Sequence, residues 1–296
     1  MTITEGYMPY LGYQTYYRIV GDTNPQKAPL ILLHGGPGST HNYFELFDEL
    51  AKADQRQIIM YDQLGCGLSA TESRPDLWTS KTWIEELIAL KDFLNIDECH
   101  ILGQSWGGMM LIEYLCDYNP TGIKSAILSS TLPSSELWGQ EQHRMIKFMS
   151  AEHQAAIAEA EATNNFTSEA YLAANEEFML RHAAPHWGPD APEPLRRKKV
   201  SGTEAYNTAW GPNEFHPNGN LHNWEYRDKL HTIAVPTLVT SGSNDLSTPL
   251  IAKTMADDIP NAKWELFAHS RHMPFAEETE KYIAILTDWL NTVETN

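Results

Sequence analysis

Short apolar runs separated by helical periodicity constrain this fold more than any other feature of the chain. The first, Pro29 to His34, reads Pro-Leu-Ile-Leu-Leu-His and stops at glycines. Gln57–Tyr61, Ile101–Gly103, Ser125–Leu128 and Pro236–Thr240 follow, and Lys263–Phe267 is the last. Runs this short suit strands buried on both faces. Trp83, Leu87, Leu90 and Leu94 repeat at helical spacing, as do Tyr282, Ile285, Leu286 and Trp289. Strands alternating with helices imply a mostly parallel sheet covered on both faces. Residues 1–20 alternate polar and apolar positions around Tyr10-Leu-Gly-Tyr13, which predicts an opening antiparallel hairpin and brings the expected sheet to eight strands.

The alternation breaks between about Leu132 and Leu230. That stretch is rich in Ala, Glu, His and aromatic residues, with helical runs near 152–162 and 168–183 and no convincing buried strand. It reads as a helical cap, residues 132–230, inserted into a core made of 1–131 and 231–296. A formal net charge of −18 argues against nucleic acid, whose phosphates need a basic surface. No apolar run approaches the roughly 18 residues of a membrane helix, so no membrane partner is expected. The N-terminus lacks the basic and apolar regions of a secretory signal. Cys66, Cys99 and Cys116 form no ligand or disulfide spacing, which fits a reducing, cytoplasmic setting.

Residues 103–107 read Gly-Gln-Ser-Trp-Gly, after the apolar run at 100–102 and before a helical stretch from Met109 to Tyr118. A strand, a tight turn and a helix form the context that G-x-S-x-G requires as a nucleophile elbow, with Ser105 exposed at the bend. A serine hydroxyl needs a base, and the base needs a carboxylate to fix its tautomer. The expected chain order is serine, acid, histidine. Asp245 follows the run 236–240 in Ser241-Gly-Ser-Asn-Asp245, whereas Asp257 and Asp258 fall on an expected surface helix. His269 and His272 both follow the last strand; His272 is preferred because the loop must turn back over the sheet before reaching Ser105. The oxyanion needs backbone donors, expected from Trp106 and from Gly36 in the loop His34-Gly-Gly-Pro-Gly38. No zinc-type spacing connects the remaining histidines.

Together, His34-Gly-Gly-Pro-Gly38, Tyr61-Asp-Gln-Leu-Gly-Cys-Gly-Leu-Ser69, Gly103-Gln-Ser-Trp-Gly-Gly108, Gly211-Pro-Asn-Glu-Phe215 and His272-Met-Pro resemble the proline iminopeptidases, serine peptidases of the α/β-hydrolase fold. The likeness spans almost the whole chain and is nearest to the lactic-acid-bacterial branch. It implies an α/β-hydrolase fold with an inserted helical cap, and release of N-terminal proline from short peptides through an acyl-enzyme on Ser105, His272 and Asp245, with no metal or organic cofactor. It also makes Glu214 the amine-binding glutamate, since a substrate ammonium entering a partly dry pocket needs a carboxylate. The archaeal members carry a second glutamate after the catalytic aspartate, where this chain has Leu246. Glu225, and after it Glu204, are nominees for the missing contact. Phe215, Trp106, Trp138 and Trp210 are candidates for a flat surface against the proline ring. Cys66 is expected to be a buried structural thiol. The same residues would also serve an amino-acid amidase. A non-catalytic binding protein on this fold is the reading from a different class.

Overall fold

The computed structural model describes residues 2–295. Ile3–Tyr10 (β1) and Tyr13–Val20 (β2) form the expected hairpin. Its two turn residues, Leu11 and Gly12, both have positive φ (49° and 85°), the twist that suits a two-residue hairpin loop. Leu30–Leu33 (β3), Ile58–Tyr61 (β4), Cys99–Gln104 (β5), Ile123–Ser129 (β6), Thr237–Gly242 (β7) and Lys263–Phe267 (β8) complete one eight-stranded sheet. Its order is β1-β2-β4-β3-β5-β6-β7-β8; only the β1–β2 and β2–β4 pairs are antiparallel. The mostly parallel sheet expected from the sequence is therefore present.

Every residue of β3 and β4 is buried, because helices cover both faces. The helices are Asp48–Asp54 (α1), Ser80–Phe93 (α2), Trp106–Asp117 (α3), Ser135–Ile146 (α4), Ala151–Thr163 (α5), Glu169–His182 (α6), Glu193–Arg196 (α7), Thr203–Ala209 (α8), Pro249–Asp258 (α9), Pro274–Glu277 (α10) and Thr279–Thr295 (α11). Alternation along β3 divides the core. Leu30 and Leu32 pack with Leu50 of α1 and Tyr282, Leu286 and Trp289 of α11. Ile31 and Leu33 join the opposite core, with Leu87 of α2, Met109 of α3 and Ile251 of α9. By contrast, Lys263, Glu265 and Leu266 of the edge strand β8 are exposed, which explains why its sequence is mixed rather than apolar.

Helices α4 to α8 all lie between β6 and β7, and among the described residues the one strand-like pairing there is an isolated bridge from Ser134 to Glu225. The first three of them begin at serine caps. Ser134, Ser150 and Ser168 accept hydrogen bonds from the N–H groups of Leu137, His153 and Tyr171, each cap being worth about 1 kcal/mol. The end of α6 docks onto the loops after β7 and β8. There the His272 N–H donates to the Ala183 carbonyl (3.1 Å), Arg271 Nη1 donates to the Leu180 carbonyl (2.8 Å), and His182 Nδ1 lies 3.0 Å from the Asn244 carbonyl. Further along, the Gly202 N–H donates to the Gly38 carbonyl (2.8 Å). The insertion thus overlies the C-terminal edge of the parallel strands, where ligands bind in sheets of this kind. Among the described residues, no helix is long and apolar enough to cross a membrane.

Candidate active site

Ser105 stands at the junction of β5 and α3 with φ 53° and ψ −121°, a backbone state that persists only where the surroundings enforce it. They do so through four bonds: the Ser105 N–H donates to the Ser129 carbonyl (3.0 Å), while its own carbonyl accepts from Thr131 Oγ1 (2.6 Å) and the N–H groups of Gly108 (2.9 Å) and Met109 (3.2 Å). The flanking glycines permit close approach of backbone. A Cβ on Gly107 would lie 2.1 Å from the Leu33 carbonyl oxygen, and one on Gly103 would lie 2.3 Å from that of Gly107. The turn is therefore built by the close approach of β3 to Gly107 and of the first turn of α3 to Gly103.

A cavity of about 590 Å³ opens over this turn, and Gly36, Ser105, Tyr206, Glu214 and His272 all line it. His272 Nδ1 lies 2.6 Å from Asp245 Oδ1. A carboxylate only accepts, so Nδ1 carries a proton, which in the neutral ring leaves the lone pair on Nε2. Asp245 is held by three further donors: Ser130 Oγ (2.6 Å) and the N–H of Gly242 (3.0 Å) on Oδ2, and the N–H of Ser247 (2.8 Å) on Oδ1. Sequence reasoning missed Ser130; its one signal is its place directly after β6. His269 is exposed, with its N–H on Glu278, so the geometry brings His272 and not His269 to the acid.

The loop after β3 is tied to the nucleophile turn by a chain of hydrogen bonds. The Gly35 N–H donates to Tyr43 Oη (2.7 Å), which donates to Gln104 Oε1 (2.9 Å), and Gln104 Nε2 reaches the His272 carbonyl (3.4 Å). Gly36 has φ +118°, where a Cβ would lie 2.6 Å from the Gly38 nitrogen. The motif at 61–69 braces the same region. Gln63 donates to the His34 carbonyl and accepts from the Trp106 indole (both 2.9 Å), and Asp62 accepts from the N–H groups of His41 and Leu68 (both 2.8 Å). Trp106 is the first residue of α3, so its N–H lies ahead of the helical hydrogen-bond ladder. Tyr43→Phe leaves the Gly35 N–H and Gln104 Oε1 without their partner. The expected result, read by urea denaturation, is a stability loss of about 1–3 kcal/mol.

Glu214 is presented by a turn of its own. Asn213 Oδ1 accepts from the N–H groups of Phe215 (3.0 Å) and His216 (2.8 Å), and Trp138 Nε1 donates to the Glu214 carbonyl (2.6 Å). The Glu214 carboxylate accepts from Tyr206 Oη (2.8 Å). Desolvation raises its pKa above the ordinary carboxylate range, against the opposing pull of His272 and the Tyr206 hydrogen bond. Among the described residues lining the cavity, it is the only carboxylate. Tyr206 gave no signal in the sequence, because its partner is chosen by how α8 packs.

Other expectations are corrected. Glu225 does not reach this cavity: it accepts from Ser134 Oγ (2.7 Å) and from Arg227, and lines a separate surface depression. Glu204 is held outside the cavity by Ser73, the Arg74 N–H and the Trp78 indole. Phe215 is fully buried against Tyr171 and Phe178. Trp106 turns its indole into the core beside Trp83, while Trp138 packs edge-on against His272 and Trp210 edge-on against Trp138. The apolar wall that the insertion does supply comes from Met179, Ala183 and Trp187. Leu246 is buried and its carbonyl accepts from Gln142 Nε2 (2.8 Å). Cys66 is buried, and desolvation raises its thiol well above the usual range. Among the described residues, no group of His, Cys, Asp and Glu is arranged to hold a metal ion.

Residues 28–279 match the family model described as alpha/beta hydrolase fold. A proline iminopeptidase of Clostridium botulinum is 62% identical over 291 residues, covering 98% of this chain and 99% of the relative. One from Levilactobacillus brevis is 59% identical over 290 residues, covering 98% of this chain and 97% of the relative. The crystal structure of a proline iminopeptidase from Mycobacterium smegmatis superposes with a TM-score of 0.87 at 30% identity, covering 99% of each chain. With the sheet order, the elbow and this full-length similarity in agreement, the chain belongs to the proline iminopeptidase family of α/β-hydrolase-fold enzymes.

Proposed function

We propose that this protein is a serine aminopeptidase that releases N-terminal proline from short peptides through an acyl-enzyme. One observation carries the reading: Ser105, an Asp245-bonded His272 and a single desolvated carboxylate, Glu214, line the same cavity. His272 Nε2 takes the proton from Ser105 Oγ as the oxygen attacks the prolyl carbonyl. The N–H groups of Gly36 and Trp106 hold the oxyanion, a contribution of about 10²–10³ in rate per donor. His272 then returns the proton to the leaving amine, and water releases proline by the same steps in reverse order.

Glu214, steadied by Tyr206, receives the substrate ammonium. The ion pair relieves the desolvation that the carboxylate bears alone, which ties productive binding to a free N-terminus. Residues 132–230 act as the cap that carries Glu214 and narrows the site to chain ends. Cys66, Cys99 and Cys116 are unpaired, which suits work in a reducing cytoplasm.

The test is a panel of aminoacyl p-nitroanilides, free and N-acetylated, together with prolinamide and Pro-peptides. Free prolyl substrates should be cleaved and N-acetylated ones should not. Equal cleavage of both would defeat the assignment of Glu214, and prolinamide turned over far faster than any Pro-peptide would make the enzyme an amidase.

A further inference from the structure

Residues 196–199 read Arg-Arg-Lys-Lys, four consecutive cations in a chain of formal charge −18. They leave the end of α7 and run along the rim of the cavity, where Arg197 and Lys199 line it. Arg197 is neutralised locally by Glu45 (2.6 Å) and Glu193 (2.8 Å). Lys199 is not. Its Nζ donates to Ser39 Oγ (3.0 Å) and lies 5.5 Å from the centre of the Tyr43 ring, and among the described residues no carboxylate pairs with it. An ammonium has three N–H donors, so this one retains donors for a ligand.

Its position gives that ligand a direction. Ser39 directly follows the loop His34–Gly38, and Tyr43 holds the Gly35 N–H (2.7 Å). The Lys199 ammonium therefore rests on the loop after β3, whereas Glu214 is held within the insertion, against Tyr206 and Trp138. The cavity carries an anion on one wall and an unpaired cation on another, with Ser105 lining it as well. We propose that Lys199 binds the C-terminal carboxylate of a dipeptide or tripeptide whose ammonium is held by Glu214. The inference rests on the amine-binding reading of Glu214 and adds the identity of the other end of the substrate.

Lys199 and Glu214 line one cavity, and a peptide spans at most about 3.5 Å per residue, so the proposal is confined to substrates with one or two residues beyond the scissile bond. The basic run also offsets, at the mouth, the repulsion that a strongly acidic protein exerts on a substrate carboxylate.

The experiment compares kcat/KM for Pro-Gly-Gly and its C-terminal amide, with prolyl naphthylamide as a reference lacking any carboxylate. The unmodified enzyme should prefer the free acid by about tenfold, the size of one hydrogen bond to a charged group, and mainly through KM. Lys199→Gln should bring the ratio close to one, Lys199→Arg should keep it, and Lys199→Glu should turn it in favour of the amide. Equal rates for acid and amide in the unmodified enzyme would overturn the inference, as would a preference that survives Lys199→Gln. No cleavage of prolyl naphthylamide would remove the underlying peptidase reading and this inference with it, so the two failures are told apart.

Discussion

Ser105→Ala is expected to lower kcat on prolyl p-nitroanilide by about 10⁴–10⁶-fold, the loss typical of removing a nucleophile from a triad. The fold should be untouched, for reasons visible in the structure. Ser105 takes part in the turn through its N–H and carbonyl, which reach Ser129, Thr131 and Gly108, and alanine keeps both groups. Serine and alanine both bear a Cβ, so the strain of φ 53° is the same in each. Binding of a Pro-peptide, followed by calorimetry, should persist because Glu214 and the loop after β3 remain. Fluorophosphonate should label the unmodified enzyme at Ser105 and leave the variant unlabelled. Appreciable turnover by the variant would show that the nucleophile lies elsewhere.

Glu214→Gln is expected to reduce kcat/KM for free-amine substrates by about 10²–10³-fold, because a substrate ammonium would enter the cavity with no counter-charge. Discrimination against N-acetylated substrates should narrow at the same time; unchanged discrimination would mean that the amine is read by another group. The same substitution should stabilise the free enzyme. Desolvation holds the Glu214 carboxyl above its unfolded value, so the folded state binds this proton more tightly. Stability is then greatest while the group is protonated and declines as pH rises beyond the ordinary carboxylate range. Glutamine removes that decline and keeps an acceptor for Tyr206. The thermal midpoint of the variant should therefore gain on the unmodified protein between pH 4 and pH 8. A gain that shrinks toward pH 8 would contradict the desolvation argument. Opposite signs for activity and stability mark a residue kept for function rather than for folding.

Features set by neighbours along the chain could be read without a structure. The buried strands, the hairpin turn at Leu11 and Gly12 and the tight turn around Ser105 depend on backbone sterics and short-range hydrogen bonds. Asp245 and His272 were legible because parallel strands deliver their C-terminal ends to one edge, so chain order predicts proximity there. The expected roles of Glu225 and Phe215 show where this ends. Glu225 lies next to a cation, Arg227, that takes up its charge, and Phe215 meets Tyr171 and Phe178 from a distant helix. Composition gives an acid near a cap motif the same appearance whether it faces a pocket or a neighbouring arginine.

By itself, then, the sequence determined the parallel sheet, the strained turn at Ser105 and the pairing of Asp245 with His272, since each follows from local geometry repeated at strand ends. Only the tertiary structure decided which side chains of the insertion face the cavity. It placed Tyr206 on Glu214, Ser130 on Asp245 and Lys199 over Tyr43, and turned Glu225 and Phe215 away. The physical reason is that these pairings join residues from separately packed elements, and their energies are settled by desolvation and by which partner lies nearest once the insertion has docked.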